Sequence, residues 1–183
     1  MRAFLGIPAS DVVAERLREA FSELAKEEPI KAVRPENYHI TVKFLGEIDQ
    51  KLSRELASKL TDRLKPAEAL KVNIRYAGVF PDPGNPRVIW AGAGPEEPLE
   101  RLNTTCEEAA FELGVAREER EYHPHLTLGR IKKKISDRRL VINWLKEYGR
   151  EEFGRIDSPE LVLYESELTS EGPQYRELEK WQI

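Results

Sequence analysis

Two stretches, "YHITVKFLGEI" at residues 38–48 and "HPHLTLGRIKKK" at residues 123–134, carry all three histidines of this 183-residue chain. Each stretch contains a His-x-Thr tripeptide, at residues 39–41 and 125–127. Both are rich in β-branched and other apolar residues, which is typical of a strand. Because side chains alternate between the two faces of a strand, the histidine and threonine of each tripeptide are predicted to share one face.

The segments around the two tripeptides predict a repeated order of elements. Each predicted His-x-Thr strand is followed by a helix and then two strands, in the order 49–64, 70–80 and 87–93, and again in the order 136–149, 158–168 and 175–183. A first strand over 2–7, a helix over 10–28 that begins at the N-cap candidate Ser10, and a helix over 96–114 complete the pattern. The expected fold is α+β, with two pseudo-symmetric lobes. Each lobe is an antiparallel sheet with helices on its outer face, and an active-site cleft lies between the sheets. Residues 1–183 are predicted to form a single bilobal domain with an internal pseudo-repeat.

Composition limits the classes of partner. Charged residues make up 34% and hydrophobic residues 40%, which is typical of a globular chain. The formal net charge of −4 provides no overall basic field, so a polyanion must be met by a local patch. The single cysteine, Cys106, excludes an internal disulfide and fits a reducing compartment. No apolar run approaches the ~20 residues of a membrane span, and the apolar start of the chain is too short for a signal peptide. We therefore expect a cytoplasmic protein that makes no membrane contact, and no obligate protein partner is indicated.

The paired tripeptides suit phosphodiester chemistry. Two imidazoles with pKa values near ~6.5 can serve as base and acid at neutral pH. Threonine hydroxyls can donate to the non-bridging oxygens of a phosphate. Arg130, five residues after His125, would add a forked pair of donors. If an approximate two-fold axis relates the two halves, these side chains converge on one cleft, and no metal or other cofactor is required.

At these residues the chain resembles a known family. "HITVKFLGEI" and "PHLTLGRIK" resemble the two signatures of the 2H phosphoesterase superfamily, and within it the RNA 2′,3′-cyclic phosphodiesterases, also called 2′-5′ RNA ligases. The resemblance extends to "RAFLGI" near the start and to "GVFPDPGNPRVIWAG" in the middle of the chain. It implies a bilobal, pseudo-symmetric α+β fold with the catalytic cleft between two sheets, in agreement with the repeated order of elements.

The resemblance also implies an activity and a set of site residues. His39 and His125 correspond to the catalytic histidines, and Thr41, Thr127 and Arg130 to phosphate-binding residues. The implied reaction opens a terminal 2′,3′-cyclic phosphate, on RNA ends or tRNA fragments, to a 2′-phosphomonoester without ATP or metal. A related reaction in vitro joins a cyclic phosphate end to a 5′-hydroxyl through a 2′-5′ bond.

Two alternative functions stay open at this point. The third histidine, His123, could form a three-histidine zinc site with His39 and His125. No Asp, Glu or Cys lies nearby in a recognised ligand spacing, so His123 is predicted to be a loop residue at the strand entrance. A non-catalytic module that binds RNA ends or nucleotides would keep the same cleft and bind cyclic-phosphate RNA without turnover.

Two neighbouring features also have alternative interpretations. The basic run at residues 129–134, with Arg138 and Arg139, fits a solvated turn and a phosphate-tracking patch equally well. An aromatic residue beside the first tripeptide could stack on the terminal base. Strict alternation, however, places Phe44 with Val42 on the face opposite His39, where it is predicted to pack in the core.

Overall fold

The computed structural model describes residues 1–27, 29–64, 70–133, 137–170 and 172–183. These residues form nine strands and four α-helices. The strands are β1 Arg2–Pro8, β2 Ile30–Ala32, β3 His39–Glu47, β4 Val72–Phe80, β5 Val88–Gly94, β6 His125–Ile131, β7 Glu152–Ile156, β8 Glu160–Thr169 and β9 Gly172–Gln182. The helices are α1 Asp11–Phe21, α2 Gln50–Arg63, α3 Glu96–Phe111 and α4 Arg138–Tyr148. None of these helices is long and apolar enough to cross a membrane.

The strands form an antiparallel sheet in the order β7-β4-β5-β6-β3-β1-β8-β9, with β2 attached to β6. At its middle, β3 and β6 are joined through one residue pair, Ile40 opposite Leu126. This narrow join divides the strands into a first sheet, β9-β8-β1-β3, and a second sheet, β6-β5-β4-β7. The predicted α+β fold with two pseudo-symmetric lobes is confirmed.

Helices cover the outer face of each sheet. On the second sheet, α1 contacts β7 and α4 contacts β4, and the Trp144 indole N–H donates to the Ala20 carbonyl at 2.9 Å. On the first sheet, α3 contacts β3 and α2 packs against α3. The indole N–H of Trp181 in β9 donates to the Thr61 hydroxyl of α2 at 2.9 Å. The indole N–H groups of Trp144 and Trp181 are therefore both satisfied although the two rings are buried.

Two strands belong to a different lobe from the one that the repeated order of elements predicts. β8 and β9 follow the second tripeptide in sequence, but they extend the first sheet, where β8 pairs with β1. The physical reason lies in β1, whose residues 3–7 are all buried. A strand that is buried on both faces belongs in the interior of a sheet, with a neighbour on each side. The first lobe is therefore built from both ends of the chain.

Three observed elements, α1, β2 and β7, differ from the predicted secondary structure. The predicted helix over 10–28 begins as expected, with the Ser10 side chain accepting from the Val13 N–H, but it ends at Phe21 and is followed by a 3-10 turn at Leu24–Lys26. Strands β2 and β7 were not predicted. β2 has three residues, none fully buried, and β7 has five residues with Gly154 at φ 123°, so neither shows a clear alternation of apolar residues.

Candidate active site

The join between the two sheets brings the His-x-Thr tripeptides side by side. Ile40 and Leu126, the middle residues of the two tripeptides, are both fully buried and lie opposite each other. Because the strands are antiparallel, His39 flanks Thr127 and Thr41 flanks His125. The structure therefore places the four predicted side chains on the cleft side of the join, two from each lobe.

A β-bulge follows the threonine of β3. Leu5 of β1 is opposite Lys43 and Gly6 is opposite Thr41, so Val42 is the extra residue. Val42 and Lys43 are consequently both buried, and the alternation resumes one residue later. Phe44 thus returns to the side of His39, where it is 59% exposed and lines the cleft. The prediction that Phe44 packs on the opposite face is wrong, because it assumed an unbroken alternation.

β6 has a bulge at the equivalent place. Ile89 of β5 is opposite Gly129 and Trp90 is opposite Thr127, so Leu128 is the extra residue. Leu128 and Gly129 are buried, and the next residue, Arg130, is exposed on the cleft side. Arg130 and Phe44 therefore occupy equivalent positions, three residues beyond the threonine of each tripeptide.

Residues of β6 line two cavities beside the join of the sheets. The larger has a volume of about 470 Å³, and four of the predicted site residues line it, namely His39, Thr41, Thr127 and Arg130. The smaller, of about 240 Å³, is lined by the fifth, His125, and by His123. We refer to these as the large cavity and the small cavity. The two predicted catalytic histidines thus face different parts of one cleft.

Both histidine rings are fixed in the same way. The Nδ1 atom of His39 lies 2.7 Å from the Asn37 carbonyl, and that of His125 lies 2.6 Å from the His123 carbonyl. A carbonyl can only accept, so each Nδ1 carries the proton and each Nε2 is left to exchange one. The Nε2 of His39 is 3.1 Å from the Thr41 hydroxyl, whereas the Nε2 of His125 makes no hydrogen bond to any described residue.

Aromatic rings pack against each imidazole. Phe4 lies 4.7 Å from His39 between ring centroids, and Tyr175 meets the same ring edge-on at 5.3 Å. Phe80 meets the ring of His125 edge-on at 5.2 Å. The close packing behind His39 requires Gly6, since a Cβ there would lie 3.2 Å from the imidazole Cδ2 and 3.1 Å from the Ile40 carbonyl. These contacts fix the orientation of both rings and shield them from part of the solvent.

Burial sets the protonation state of both histidines. Desolvation lowers the pKa of His39 below its usual value; the hydrogen bond to the Asn37 carbonyl raises it in part, and the charges of His125 and Arg130 lower it further. Desolvation likewise lowers the pKa of His125, the hydrogen bond to the His123 carbonyl opposes this, and Arg130 again acts to lower it. Both imidazoles are therefore neutral at pH 7 in the free protein.

Positive charge surrounds the large cavity, although the chain as a whole is acidic. Five cationic side chains and no carboxylate line it among the described residues; the cations are Arg2, Lys31, Arg34, Arg130 and Lys132. Of the predicted basic run, Lys132 lies here, Arg139 pairs with Asp137 at 2.8 Å, and Lys134 falls outside the described residues. Sequence reasoning missed Arg2, Lys31 and Arg34, because only the sheet brings Arg2 close to the other two and all three close to Arg130.

His123 lies outside this arrangement. Its side chain is exposed, 3.8 Å from a carboxylate oxygen of Glu121, and it precedes β6 as a loop residue, as predicted. In the part of the chain that the structure describes, no three His, Cys, Asp or Glu side chains are grouped so that they could hold a metal ion. The Nδ1 of His125 is, moreover, occupied by the backbone. The described residues do not assemble the alternative three-histidine zinc site.

Comparisons with known proteins identify relatives that match nearly the whole chain. The sequence model of the family described as "LigT like Phosphoesterase" matches residues 7–90 and again residues 93–175. The RNA 2′,3′-cyclic phosphodiesterase of Archaeoglobus fulgidus is 35% identical over 180 residues, which cover 97% of this chain and 98% of that protein. The RNA 2′,3′-cyclic phosphodiesterase of Methanocaldococcus jannaschii is 37% identical, over 99% of this chain and 100% of that protein.

Two solved structures have the same fold. The protein TT0787 of Thermus thermophilus superposes with a TM-score of 0.82 at 29% identity, covering 100% of this chain and 97% of that one. The Escherichia coli LigT complex with 3′-AMP superposes with a TM-score of 0.79 at 22% identity, with the same coverage. Both superpositions extend through the two sheets and the cleft between them.

Proposed function

The chain belongs to the LigT-like phosphoesterase family and is an RNA 2′,3′-cyclic phosphodiesterase, a hydrolase; on that premise we propose that His39 and His125 are its acid and base. In this proposal the enzyme opens a terminal 2′,3′-cyclic phosphate to a 2′-phosphomonoester, on RNA ends or tRNA fragments, and needs neither metal nor ATP. The observation that supports the proposal most is the common orientation of the two imidazoles, because each has Nδ1 bound to a backbone carbonyl and Nε2 left for proton transfer.

In-line displacement places the two histidines on opposite sides of the phosphate, and the family resemblance implies that the 3′-oxygen leaves. The nucleophile must approach phosphorus on the side opposite the leaving oxygen, so the base and the acid act on opposite sides of the phosphate. We assign His39 as the general acid on the departing 3′-oxygen and His125 as the base that takes a proton from water. Thr41, Thr127 and Arg130 would hold the non-bridging oxygens, where negative charge must be stabilised through the transition state.

Substrate binding would supply the proton that the acid needs. Both histidines have lowered pKa values in the free protein, so neither is protonated at pH 7. The negative charge of a bound cyclic phosphate offsets the charge of Arg130 and raises the pKa of an adjacent imidazole. Uptake of one proton therefore accompanies binding, and it leaves the pair as one acid and one base.

The large cavity suits the RNA body and its terminal base. Its cations, Lys31 and Lys132 among them, can contact backbone phosphates, and the affinity should then fall as salt is raised. The exposed ring of Phe44 lines the same cavity and offers a face on which the terminal base can stack. Recognition would thus rest on charge and stacking, which tolerate many sequences.

A cyclic-phosphate-ended oligonucleotide tests the proposal directly. Purified protein incubated with it in EDTA should release the 2′-phosphomonoester, identified by ³¹P NMR and by comparison with authentic 2′- and 3′-phosphate standards. A 3′-phosphomonoester would mean that the 2′-oxygen leaves and would reverse the roles of His39 and His125. An enzyme that EDTA inactivates and zinc restores would contradict the metal-free mechanism.

The related ligation is part of the same proposal. A 5′-hydroxyl would replace water as the nucleophile and form a 2′-5′ phosphodiester, with the 3′-oxygen leaving as before. Its substrates would be a cyclic-phosphate-ended oligonucleotide and a second oligonucleotide with a free 5′-hydroxyl. A dinucleotide that carries the junction and survives a nuclease that cleaves only 3′-5′ bonds would support it.

A further inference from the structure

The hydrolysis derived above uses only one residue of the small cavity, His125. Its wall includes Arg75, Tyr76, Trp90, Gly92 and Glu96, together with His125. We infer that it binds the nucleoside that carries the attacking 5′-hydroxyl when the enzyme joins two RNA ends. This inference rests on the proposed function and adds to it a second substrate site.

The position of the small cavity fits the side from which a nucleophile must come. The leaving 3′-oxygen stays attached to the ribose near His39, which lines the large cavity. The nucleophile therefore arrives from the other side of the phosphate, where His125 lines the small cavity. The Nε2 of His125 makes no hydrogen bond to any described residue, so it can accept the proton of an incoming hydroxyl.

The size of the small cavity exceeds what hydrolysis needs. A water molecule accounts for about 30 Å³ of liquid. The volume of about 240 Å³ is several times larger, and it approaches that of pockets that hold small organic ligands. A site shaped only to deliver water would not require it.

Charge distinguishes the two cavities. The large cavity has five cations and no carboxylate among the described residues, which suits a polyanionic chain. The small cavity has one cation, Arg75, and one carboxylate, Glu96, so its formal charge is balanced when the histidines are neutral. A balanced site suits an uncharged 5′-hydroxyl end better than a 5′-phosphate. The Glu96 carboxylate can accept a hydrogen bond from a ribose hydroxyl, and it would repel a 5′-phosphate.

Tyr76 provides the surface on which a base could stack. It is the one described non-glycine residue with a positive φ, 63°, and it lies at a bulge in β4 between Arg75 and Ala77. Its ring is 46% exposed, and the guanidinium carbon of Arg75 lies 5.0 Å from the ring centroid. A left-handed backbone is costly for tyrosine, and the exposed ring gains little from core packing, so the strain points to a ligand contact.

The joining step balances without an added co-reactant. The 5′-oxygen forms a bond to phosphorus and gives its proton to the Nε2 of His125. The bond from phosphorus to the 3′-oxygen breaks, and the 3′-oxygen takes a proton from the Nε2 of His39. The product is a 2′-5′ phosphodiester, and the two histidines regain their protonation states by exchange with water.

The test separates ligation from hydrolysis in one reaction mixture, which contains a cyclic-phosphate-ended donor and a 5′-hydroxyl dinucleotide acceptor. The variants are Arg75→Ala and Tyr76→Gly, since glycine accepts the positive φ without strain. Each should lower the ratio of ligation to hydrolysis about tenfold or more, as expected for the loss of one base stack. The KM for the acceptor should rise, while kcat/KM for hydrolysis of the donor should stay within about twofold.

A matched control is available on the outer surface. The guanidinium carbon of Arg117 lies 4.5 Å from the ring centroid of Phe111, a similar exposed cation–π contact. Arg117→Ala should change neither rate. Equal losses of ligation and hydrolysis in the Arg75 and Tyr76 variants would overturn the inference, because the small cavity would then bind part of the hydrolytic substrate. A wild-type enzyme that hydrolyses the donor but never ligates it would overturn the inference as well.

A binding experiment tests the acceptor site independently of the proposed hydrolytic function. If the wild-type enzyme fails to hydrolyse the donor, the proposed function fails, and turnover no longer reports on the acceptor site. A 5′-hydroxyl dinucleotide with a photoreactive base should then still crosslink to peptides of β4 and β5, and less to the Tyr76→Gly variant. Crosslinks confined to β8 and β9, beside the large cavity, would overturn the acceptor site.

Discussion

Strands β3 and β6 follow the same course, from a histidine to a threonine two residues later and then to a bulge that turns one more side chain toward the cleft. That last side chain is Phe44 in β3 and Arg130 in β6. The backbone is thus pseudo-symmetric, whereas the chemistry is not. One lobe offers a ring for stacking and the other a charge for the phosphate. An asymmetric substrate such as a nucleotide can therefore bind in one orientation within a nearly symmetric frame.

The residues inside the two bulges differ as well. In β3 the bulge contains Lys43, which is 4% exposed; its Nζ donates to the Ala116 carbonyl at 2.8 Å and lies 2.8 Å from Glu107 Oε2 in α3. Although this is a close ion pair, that oxygen accepts no well-directed hydrogen bond. In β6 the equivalent residue is Gly129, where a Cβ would lie 2.8 Å from the Phe21 ring of α1. The first bulge is held by an ion pair and the second by packing.

Removal of either histidine should have the largest effect. His39→Ala and His125→Ala should each lower kcat for hydrolysis by about 10²–10⁴-fold, the usual contribution of a positioned acid or base. His123→Ala is the control and should retain most activity, because its exposed side chain is bound to neither tripeptide. Steady-state rates with a cyclic-phosphate dinucleotide provide the measurement. A severe loss in His123→Ala with a mild loss in His39→Ala would instead indicate a metal site.

The ion pair in the first bulge should matter for stability. Lys43→Met leaves Glu107 buried without its charge partner, which should lower the free energy of unfolding by about 3–5 kcal/mol. The double variant Lys43→Met/Glu107→Leu should recover most of that loss, since no buried charge is left. In the second bulge, Gly129→Ala should cost about 1–3 kcal/mol by overpacking against Phe21. Urea unfolding measures all three, and equal stability of the single and double Lys43 variants would refute the role of the ion pair.

Separate substitutions of Arg130 and Phe44 test whether the two side chains have different roles. Arg130→Gln removes a charge-assisted contact and should lower kcat by about 10–10²-fold without changing which bond breaks. Phe44→Ala removes a stacking surface and should raise KM about tenfold while kcat changes little. If both variants alter the same kinetic parameter, the proposal that Arg130 and Phe44 have different roles is wrong. Arg130→Lys, which keeps the charge but not the fork, should lie between Arg130→Gln and the wild type.

The smallest effect should be a change in pH dependence. Both histidine pKa values are lowered, so the singly protonated pair is most populated below pH ~6.5, and kcat/KM should follow a bell-shaped profile with its maximum there. Arg130 disfavours both protonated imidazoles, so Arg130→Gln should raise both pKa values and move both limbs of the profile to higher pH. A profile with one limb between pH 5 and 9 would mean that only one histidine transfers a proton. An unshifted profile in the variant would show that Arg130 lies too far from both rings to affect them.

Sequence alone predicted the parts of the site that depend on local spacing. A single residue separates His39 from Thr41, and likewise His125 from Thr127, which predicts a common face for each pair. The repeated order of elements indicated two lobes. Phe44 was misplaced because the bulge in β3 depends on register with β1, which spacing within one strand does not reveal. The pairing of β8 with β1 and the convergence of Arg2 with Lys31 depend on the sheet as a whole. The single domain over 1–183 and the cytoplasmic location stay predictions.

The interleaved lobes have a consequence for protein synthesis. The second sheet uses residues 72–156, whereas the first joins β1 and β3 to β8 and β9, which are synthesised after the whole second sheet. Tyr175 packs against the His39 ring, and the Asn37 side-chain amide donates to the Pro173 carbonyl at 3.0 Å. The surroundings of His39 are therefore incomplete until the final strand emerges. During synthesis, the strands around His125 are therefore available before the strand that completes the surroundings of His39.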